Sequence, residues 1–380
     1  MEEKAAGLYI HVPFCQRKCA YCDFYSRAEK QLIAPYIAAL CQEIAESSSY
    51  LDAAAPYYIA TIYFGGGTPS QLSAEHFQKI FDCLAQHYDL SRVEEITLEA
   101  NPDDLTDDYL AQLADTPINR LSLGLQSLHD DELEFMNRRH TAAQAEKAVR
   151  AAQKLGFDNI SIDLIYGLPN SSTERWRQTL QRAVALNVQH ISAYHLGIEP
   201  RTRFGTLRDK GLLSPVSEDV SYEQFNLLRD TLAQNGFEHY EISNFALPGR
   251  RSRHNSSYWN DTPYLGLGAG AHSFDGHSRR WGVENLSEYI AHSDSPEIYT
   301  VEQLADDERY NEYVMTRLRT CEGIDSAELL QKFGAHKLQF FEQRCQPLLV
   351  QKRLENAAGH ISITADNLLV SDSIICELFA

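Results

Sequence analysis

No stretch of the 380 residues reaches the roughly 18 consecutive apolar positions that a membrane-spanning helix needs. A transmembrane segment is therefore not expected, and peripheral contact with a membrane stays open. The start, Met1-Glu2-Glu3-Lys4, is acidic and runs directly into a strand-like Leu8-Tyr9-Ile10-His11-Val12. That is not the basic-then-apolar order of a secretory leader, so a cytoplasmic location is the expectation. Positive charge is also scarce: 34 Lys and Arg stand against 53 Asp and Glu, a net charge of −19. Broad phosphate-backbone binding wants the opposite balance, so nucleic acid is not an expected partner. There is no low-complexity tract. With 43% hydrophobic and 23% charged residues, the composition excludes disorder and collagen-like order.

Eight cysteines are present. In a chain without a leader they read as thiols or metal ligands rather than disulfides. Three of them, Cys15, Cys19 and Cys22, fall in one short loop and the other five are scattered. Cys41 and Cys83 lie beside the apolar stripes of predicted helices, and Cys376 follows Ile374-Ile375, so these three read as core packing. Cys321 and Cys345 have no assigned role.

From residue 8 to about 197 a short apolar run alternates with a longer amphipathic stretch. The candidate strands are Leu8–Val12, Thr61–Phe64, Glu95–Leu98, Arg120–Leu125, Ile160–Tyr166 and His190–Leu196. Between them, Ile33, Ile37, Leu40 and Ile44 recur at helical spacing; Ser73 and Thr173 open further helices. Six units of about 30 residues imply an α/β fold with a parallel sheet. Polar motifs end several different strands, which favours an incomplete (β/α)6 barrel over an open doubly wound sheet. The expected division is a barrel over 1–200, an extension over 201–299 and a C-terminal domain over 300–380. The extension holds one clear helix, about Ser217–Gln234, and then a Gly-, Asn- and aromatic-rich stretch. Thr300-Val-Glu-Gln303 and Asp325-Ser-Ala-Glu328 read as helix caps. Ile361–Thr364 and Leu368–Ser371 read as a hairpin, so helices plus a terminal hairpin suggest a winged-helix-like fold.

Cys15-Gln-Arg-Lys-Cys19-Ala-Tyr-Cys22 directly follows the first strand. Three thiolates leave one iron of a four-iron cluster without a protein ligand, and an open metal position is where a small molecule binds. Arg17 and Lys18 would help keep the thiolates deprotonated. A structural zinc site would want a fourth ligand, and only His11, inside the strand, is near. One strand later, Gly65-Gly66-Gly67-Thr68-Pro69 offers backbone that a ligand can approach closely.

The cysteine spacing and the glycine loop resemble the radical S-adenosylmethionine (SAM) superfamily. The resemblance implies that Cys15, Cys19 and Cys22 hold a [4Fe-4S] cluster whose fourth iron is chelated by SAM, which the cluster cleaves to a 5′-deoxyadenosyl radical. It places Gly65, Gly66, Gly67 and Thr68 against the SAM methionine moiety. Over nearly the whole chain the sequence is similar to the HemN/HemW branch. The segments that carry this are Tyr9–Cys15, Gly65–Pro69, Leu98–Pro102, Leu123–Ser127, Asn137-Arg138 and Asp163–Pro169. The similarity implies that Tyr9, Glu99, Gln126, Arg138 and Asp163 line the SAM site. Chemically, Glu99 and Asp163 can accept from hydroxyl or amino groups and Arg138 can pair with a carboxylate.

Two features divide the branch. The oxygen-independent coproporphyrinogen III oxidases carry a further cysteine two residues after the third; here that position is Phe24, as in HemW-like proteins. A phenyl ring cannot ligate metal or move a proton. His254-Asn255-Ser-Ser-Tyr258-Trp259 resembles the HNxxYW haem motif of those proteins. Imidazole is a common axial ligand, Tyr258 and Trp259 offer flat apolar faces, and Arg250, Arg251 and Arg253 are candidates for haem propionates. The resemblance thus implies a haem chaperone that passes haem to acceptors such as respiratory haem enzymes, as a monomer or homodimer. The alternative is radical decarboxylation of coproporphyrinogen III in porphyrin biosynthesis, and RNA modification is disfavoured by the acidic balance. Gly266-Leu-Gly268-Ala-Gly-Ala271 matches G-x-G-x-x-A but without a clear preceding strand, and reads as a glycine-rich loop under the site. His272 reads as structural.

Overall fold

The computed structural model describes residues 3–51, 56–169 and 171–380; Met1 and Glu2 of the acidic start lie outside the described residues. Six parallel strands, β1 (Lys4–Val12), β2 (Tyr57–Gly66), β3 (Glu95–Ala100), β4 (Arg120–Gln126), β5 (Ile160–Tyr166) and β6 (His190–His195), pair in chain order. The helices between them are α1 (Ile33–Glu46), α2 (Ala74–His87), α3 (Asp107–Ala114), α4 (Asp130–Phe135), α5 (Ala142–Lys154) and α6 (Thr173–Val184). Next come α7 (Arg203–Asp209), α8 (Glu218–Gln234), β7 (Glu238–Glu241), β8 (Asn244–Ala246), α9 (Arg253–Ser257), β9 (Tyr264–Leu267), β10 (His272–Phe274), β11 (Ser278–Gly282), α10 (Leu286–His292) and β12 (Tyr299–Gln303). Among the described residues β6 does not pair with β1. Instead β9 to β12 extend the sheet beyond β1, and β8 and β7 extend it beyond β6. The barrel is therefore incomplete.

Alternation along the strands separates its two faces. Leu8, Ile10, Ile62, Phe64, Leu98, Leu121, Leu123, Ile162 and Ile191 are buried under the helices. The opposite face is polar at nearly every position. Cross-strand register aligns Thr61 with Glu95, Thr97 with Arg120, Ser161 with His190 and Asp163 with Ser192. A central parallel strand is usually apolar on both faces. This lumen is built to hold polar groups.

Residues from Ala6 to Ile298 form one hydrophobic core, so the 201–299 stretch packs into the barrel's own core. A second core spans Tyr310 to Leu378. It is made by α11 (Asp306–Arg317), β13 (Ile324–Asp325), α12 (Ser326–Val350, kinked at Gly334), β14 (Leu354–Ala357), β15 (His360–Ile363) and α13 (Ser371–Cys376).

Several local expectations are corrected. The hairpin is β14–β15, one strand earlier than read, because Asn356 and Gly359 make the turn; 365–370 is a short 3-10 helix. Thr300–Gln303 is in strand β12, paired with β11, rather than a helix cap. Ser172, not Thr173, caps α6. Gly266 lies within a strand, β9, that pairs with β1. Cys41 and Cys83 are not packed as free thiols: they form a disulfide joining α1 to α2, with Cα atoms 5.7 Å apart. Cys376 is exposed rather than in the core. No helix among the described residues is long and apolar enough to cross a membrane.

Candidate functional site

The three-cysteine loop leaves β1 at Val12 and is pinned by backbone bonds. Cys15 N donates to Arg27 O at 2.8 Å and Ala20 N to Met136 O at 3.0 Å. Asn137 Nδ2 donates to Lys18 O at 2.8 Å. All three thiols are free and half-buried. As placed, no three His, Cys, Asp or Glu among the described residues are disposed around a single metal ion. Three free thiols on one loop are the donor type that iron–sulfur clusters take. Burial pushes the Cys22 thiol up, while the Phe24 amide and Lys18 pull it down.

One contact was not foreseen. Arg138 Nη1 donates to Cys19 Sγ at 3.3 Å, while its Nη2 is held by Asn101 Oδ1 and Gly124 O, both at 2.6 Å. A guanidinium so anchored sets a fixed positive charge against the Cys19 sulfur. The two residues are 119 positions apart, so no local spacing announced the pair. Arg138 Nε is buried with no partner among the described residues, as are His11 Nε2 and Thr97 Oγ1. His11 and Thr97 lie on the lumen face of β1 and β3 by strand alternation.

The glycine loop is tight for a physical reason. A Cβ on Gly67 would lie 2.8 Å from Phe14 O, and one on Gly65 would lie 2.9 Å from the rings of Tyr9 and Tyr63. Thr68 Oγ1 accepts from Asn101 Nδ2 at 3.3 Å, which ties the loop to the Arg138 anchor. Gln126 sits at positive φ (68°) where β4 shifts register against β5. Tyr9 places its hydroxyl 3.2 Å from His11 Nδ1. Glu99 accepts from Tyr63 at 2.8 Å, and Asp163 is 3.4 Å from Ser122 Oγ.

Burial lifts the Glu99 carboxyl to about 7, helped by the nearby Asp163, and lifts Asp163 to about 6. A raised carboxyl pKa means the fold prefers the neutral acid. That stability is fully present below the ordinary value near 4.5 and is lost as pH rises through about 7. A cationic ligand such as SAM would prefer the ionised carboxylate. With cluster-loaded protein, calorimetric SAM affinity is expected to rise between pH 6 and 8, by at most about tenfold per unit. In Glu99→Gln the rise should flatten; an unchanged pH profile would remove Glu99 from the site.

The second sequence-predicted group meets the first at Tyr9, whose ring lies 6.4 Å from that of His254. His254 lies on α9 at the other end of the lumen, against Gly7 and Thr61. Gly7 is separated from the cysteine loop by about 16 Å of β1 at ~3.3 Å per residue. Its ring stacks on Tyr63 at 5.0 Å and is fully buried, which pushes its pKa down to about 3 and keeps it neutral. Nδ1 is 2.8 Å from Thr61 Oγ1 and Nε2 is 2.9 Å from Tyr258 Oη. With α9 seated, the imidazole has no nitrogen free for iron. Asn255, Tyr258 and Trp259 are half-buried, and Trp259 Nε1 has no partner among the described residues. The three arginines read as propionate partners are already paired: Arg250 with Asp158, Arg251 with Glu238 and Glu322, and Arg253 with Glu94. His272 is exposed and stacks on Trp281.

Comparison with known proteins gives three kinds of likeness. A radical SAM superfamily model matches residues 9–183, and a HemN C-terminal domain model matches 304–370. The heme chaperone HemW of Lactococcus lactis is 35% identical over 365 residues, covering 96% of this chain and 94% of that one. HemW of Bacillus subtilis is 32% identical, covering 96% and 97%. The solved coproporphyrinogen III oxidase HemN of Escherichia coli superposes with a TM-score of 0.84 at 22% identity, over 100% of this chain and 91% of that one. That last likeness concerns the fold.

Proposed function

The chain belongs to the HemW family, in the HemN/HemW branch of the radical SAM superfamily, and from that premise we propose that it is a haem chaperone. In this reading it binds haem through the His254–Trp259 segment and hands it to acceptor haemoproteins. Cys15, Cys19 and Cys22 hold a [4Fe-4S] cluster, and Tyr9, Gly65–Thr68, Glu99, Gln126, Arg138 and Asp163 hold SAM beside it. Bound there, the cluster would supply single electrons and SAM would ligate its open iron. Arg138 steadies Cys19, the glycine loop admits the ligand, and the buried carboxylates select for positive charge and hydroxyls.

The observation that carries the chaperone reading over the oxidase is Phe24. It stands 68% exposed at the barrel mouth, beside the Asp23–Arg201 ion pair at 2.9 Å. Nothing in a phenyl ring replaces a thiol as ligand or acid, so substrate decarboxylation is left without that group. Titration of haem followed by Soret absorption tests the reading. His254→Ala is expected to weaken binding by at least about tenfold, ~1.4 kcal/mol. Equal affinity in the variant would remove His254 as ligand. Sustained protoporphyrinogen formation from coproporphyrinogen III by reduced, SAM-supplied protein would overturn the chaperone reading itself.

A further inference from the structure

The seat of α9 contains a buried ion pair that no hydrogen bond closes. Glu95, 3% exposed, serves the start of α9 from both oxygens: Oε2 accepts from Arg253 N at 3.0 Å, and Oε1 accepts from His254 N at 2.9 Å and Ser252 Oγ at 3.4 Å. One strand over, Arg120 is 1% exposed, and none of its three guanidinium nitrogens has a hydrogen-bond partner among the described residues. Its Nε lies 3.9 Å from Oε2 of the same Glu95, beyond hydrogen-bond reach. A buried cation with unmet donors is a standing cost, and the obvious group to meet them is engaged with α9.

We propose that α9 is a releasable stopper on the amino-terminal end of the lumen, and that Glu95 is a two-way latch. It holds the α9 amides when the stopper is in, and closes on Arg120 as a charge-assisted pair when the stopper leaves. This rests on the reading of His254 as the haem ligand and supplies the step that reading needs. The same departure breaks the Thr61 bond to the imidazole and frees Nδ1, while Tyr258, on the same segment, leaves with the ring. The seated state keeps the three bonds to Glu95 and the one to Thr61 and leaves the Arg120 donors unmet; the released state reverses both. Two opposed terms of this kind keep the states close in free energy, so a ligand that captures His254 can shift the population.

Amide exchange of residues 253–258, read by mass spectrometry on the full chain, tests this without haem. The strand amides of Leu121–Leu125 serve as the internal standard. Arg120→Met removes the group that rewards release, so exchange at 253–258 is expected to slow by about tenfold. Glu95→Gln offers one acceptor oxygen in place of two and should speed exchange there, with the standard unchanged. Exchange at 253–258 that is unchanged in both variants, or faster in Arg120→Met, overturns the latch. Haem association should slow in Arg120→Met by the same factor as exchange. If exchange slows and association does not, the latch stands and the haem assignment of His254 falls.

Discussion

Replacing Cys19 by Ser is expected to give a folded protein that retains no four-iron cluster after anaerobic reconstitution. The thiolate is the softer, more acidic donor, and a hydroxyl at this position stays protonated at neutral pH and ligates iron poorly. The loop itself should survive. It is held by Cys15 N, Ala20 N and the Asn137 amide, none of which involves the Cys19 sulfur. The loss should therefore be of iron and not of fold: unchanged far-ultraviolet dichroism and melting, with loss of the cluster's visible absorption and of its reduced-state paramagnetic resonance. Arg138→Gln makes the informative comparison. It keeps all three thiols but removes the guanidinium from Cys19, so it should load a cluster whose spectrum and potential are shifted. A Cys19→Ser protein that loads normally would show that the three cysteines are not the ligands.

The second large effect is on stability. An alanine at Gly266 would place its Cβ 2.0 Å from His272 O and 2.8 Å from His272 C, both backbone atoms of the neighbouring strand β10. Neither can yield without moving the β9–β10 pair, which also carries the Ser273 hydroxyl bond to Gly266 N at 3.0 Å. Since β9 pairs with β1, any shift is passed to the strand that launches the cysteine loop. Gly266→Ala should lose about 3 kcal/mol or more in denaturant unfolding, near the top of the range for overpacking. Gly197→Ala is the control. Its added Cβ would meet only the Glu199 side chain, at 3.4 Å, so its midpoint should stay close to that of the parent. Equal midpoints for both variants would mean that the tight approach at Gly266 does not hold in solution.

The six strands were legible because each is an apolar run bounded by turn residues, and their order followed from the strand–helix alternation. The cysteine loop and the glycine loop were legible because their chemistry lies in local spacing. What escaped was non-local or a matter of register. The Arg138–Cys19 contact and the Glu95–Arg120 pair join separate strands and loops, and neither residue has a neighbour in sequence that marks it. Thr300–Gln303 carries the letters of a helix cap but pairs with β11, since an edge partner is available and tertiary pairing overrides local preference. The polar lumen is written in the sequence as well. Glu95, Thr97 and Glu99, or His190, Ser192 and Tyr194, alternate with apolar residues in strands that a parallel sheet would normally bury on both sides. The motif at 254–259 was recognised by its letters, but only the fold shows it facing inward.

The two hydrophobic cores, one ending at Ile298 and the other beginning at Tyr310, have a calorimetric consequence. Leu368 packs against both, and ion pairs such as Lys332 with Asp261 at 2.6 Å cross between them, yet each core closes on its own side chains. Heat need not melt them together. The C-terminal unit, with the smaller share of buried apolar surface, is expected to melt first, and a van't Hoff enthalpy below the calorimetric one would show it. Asp261 lies two residues beyond Trp259. Loss of cooperativity between the two units is therefore felt first at the turn that leads out of α9.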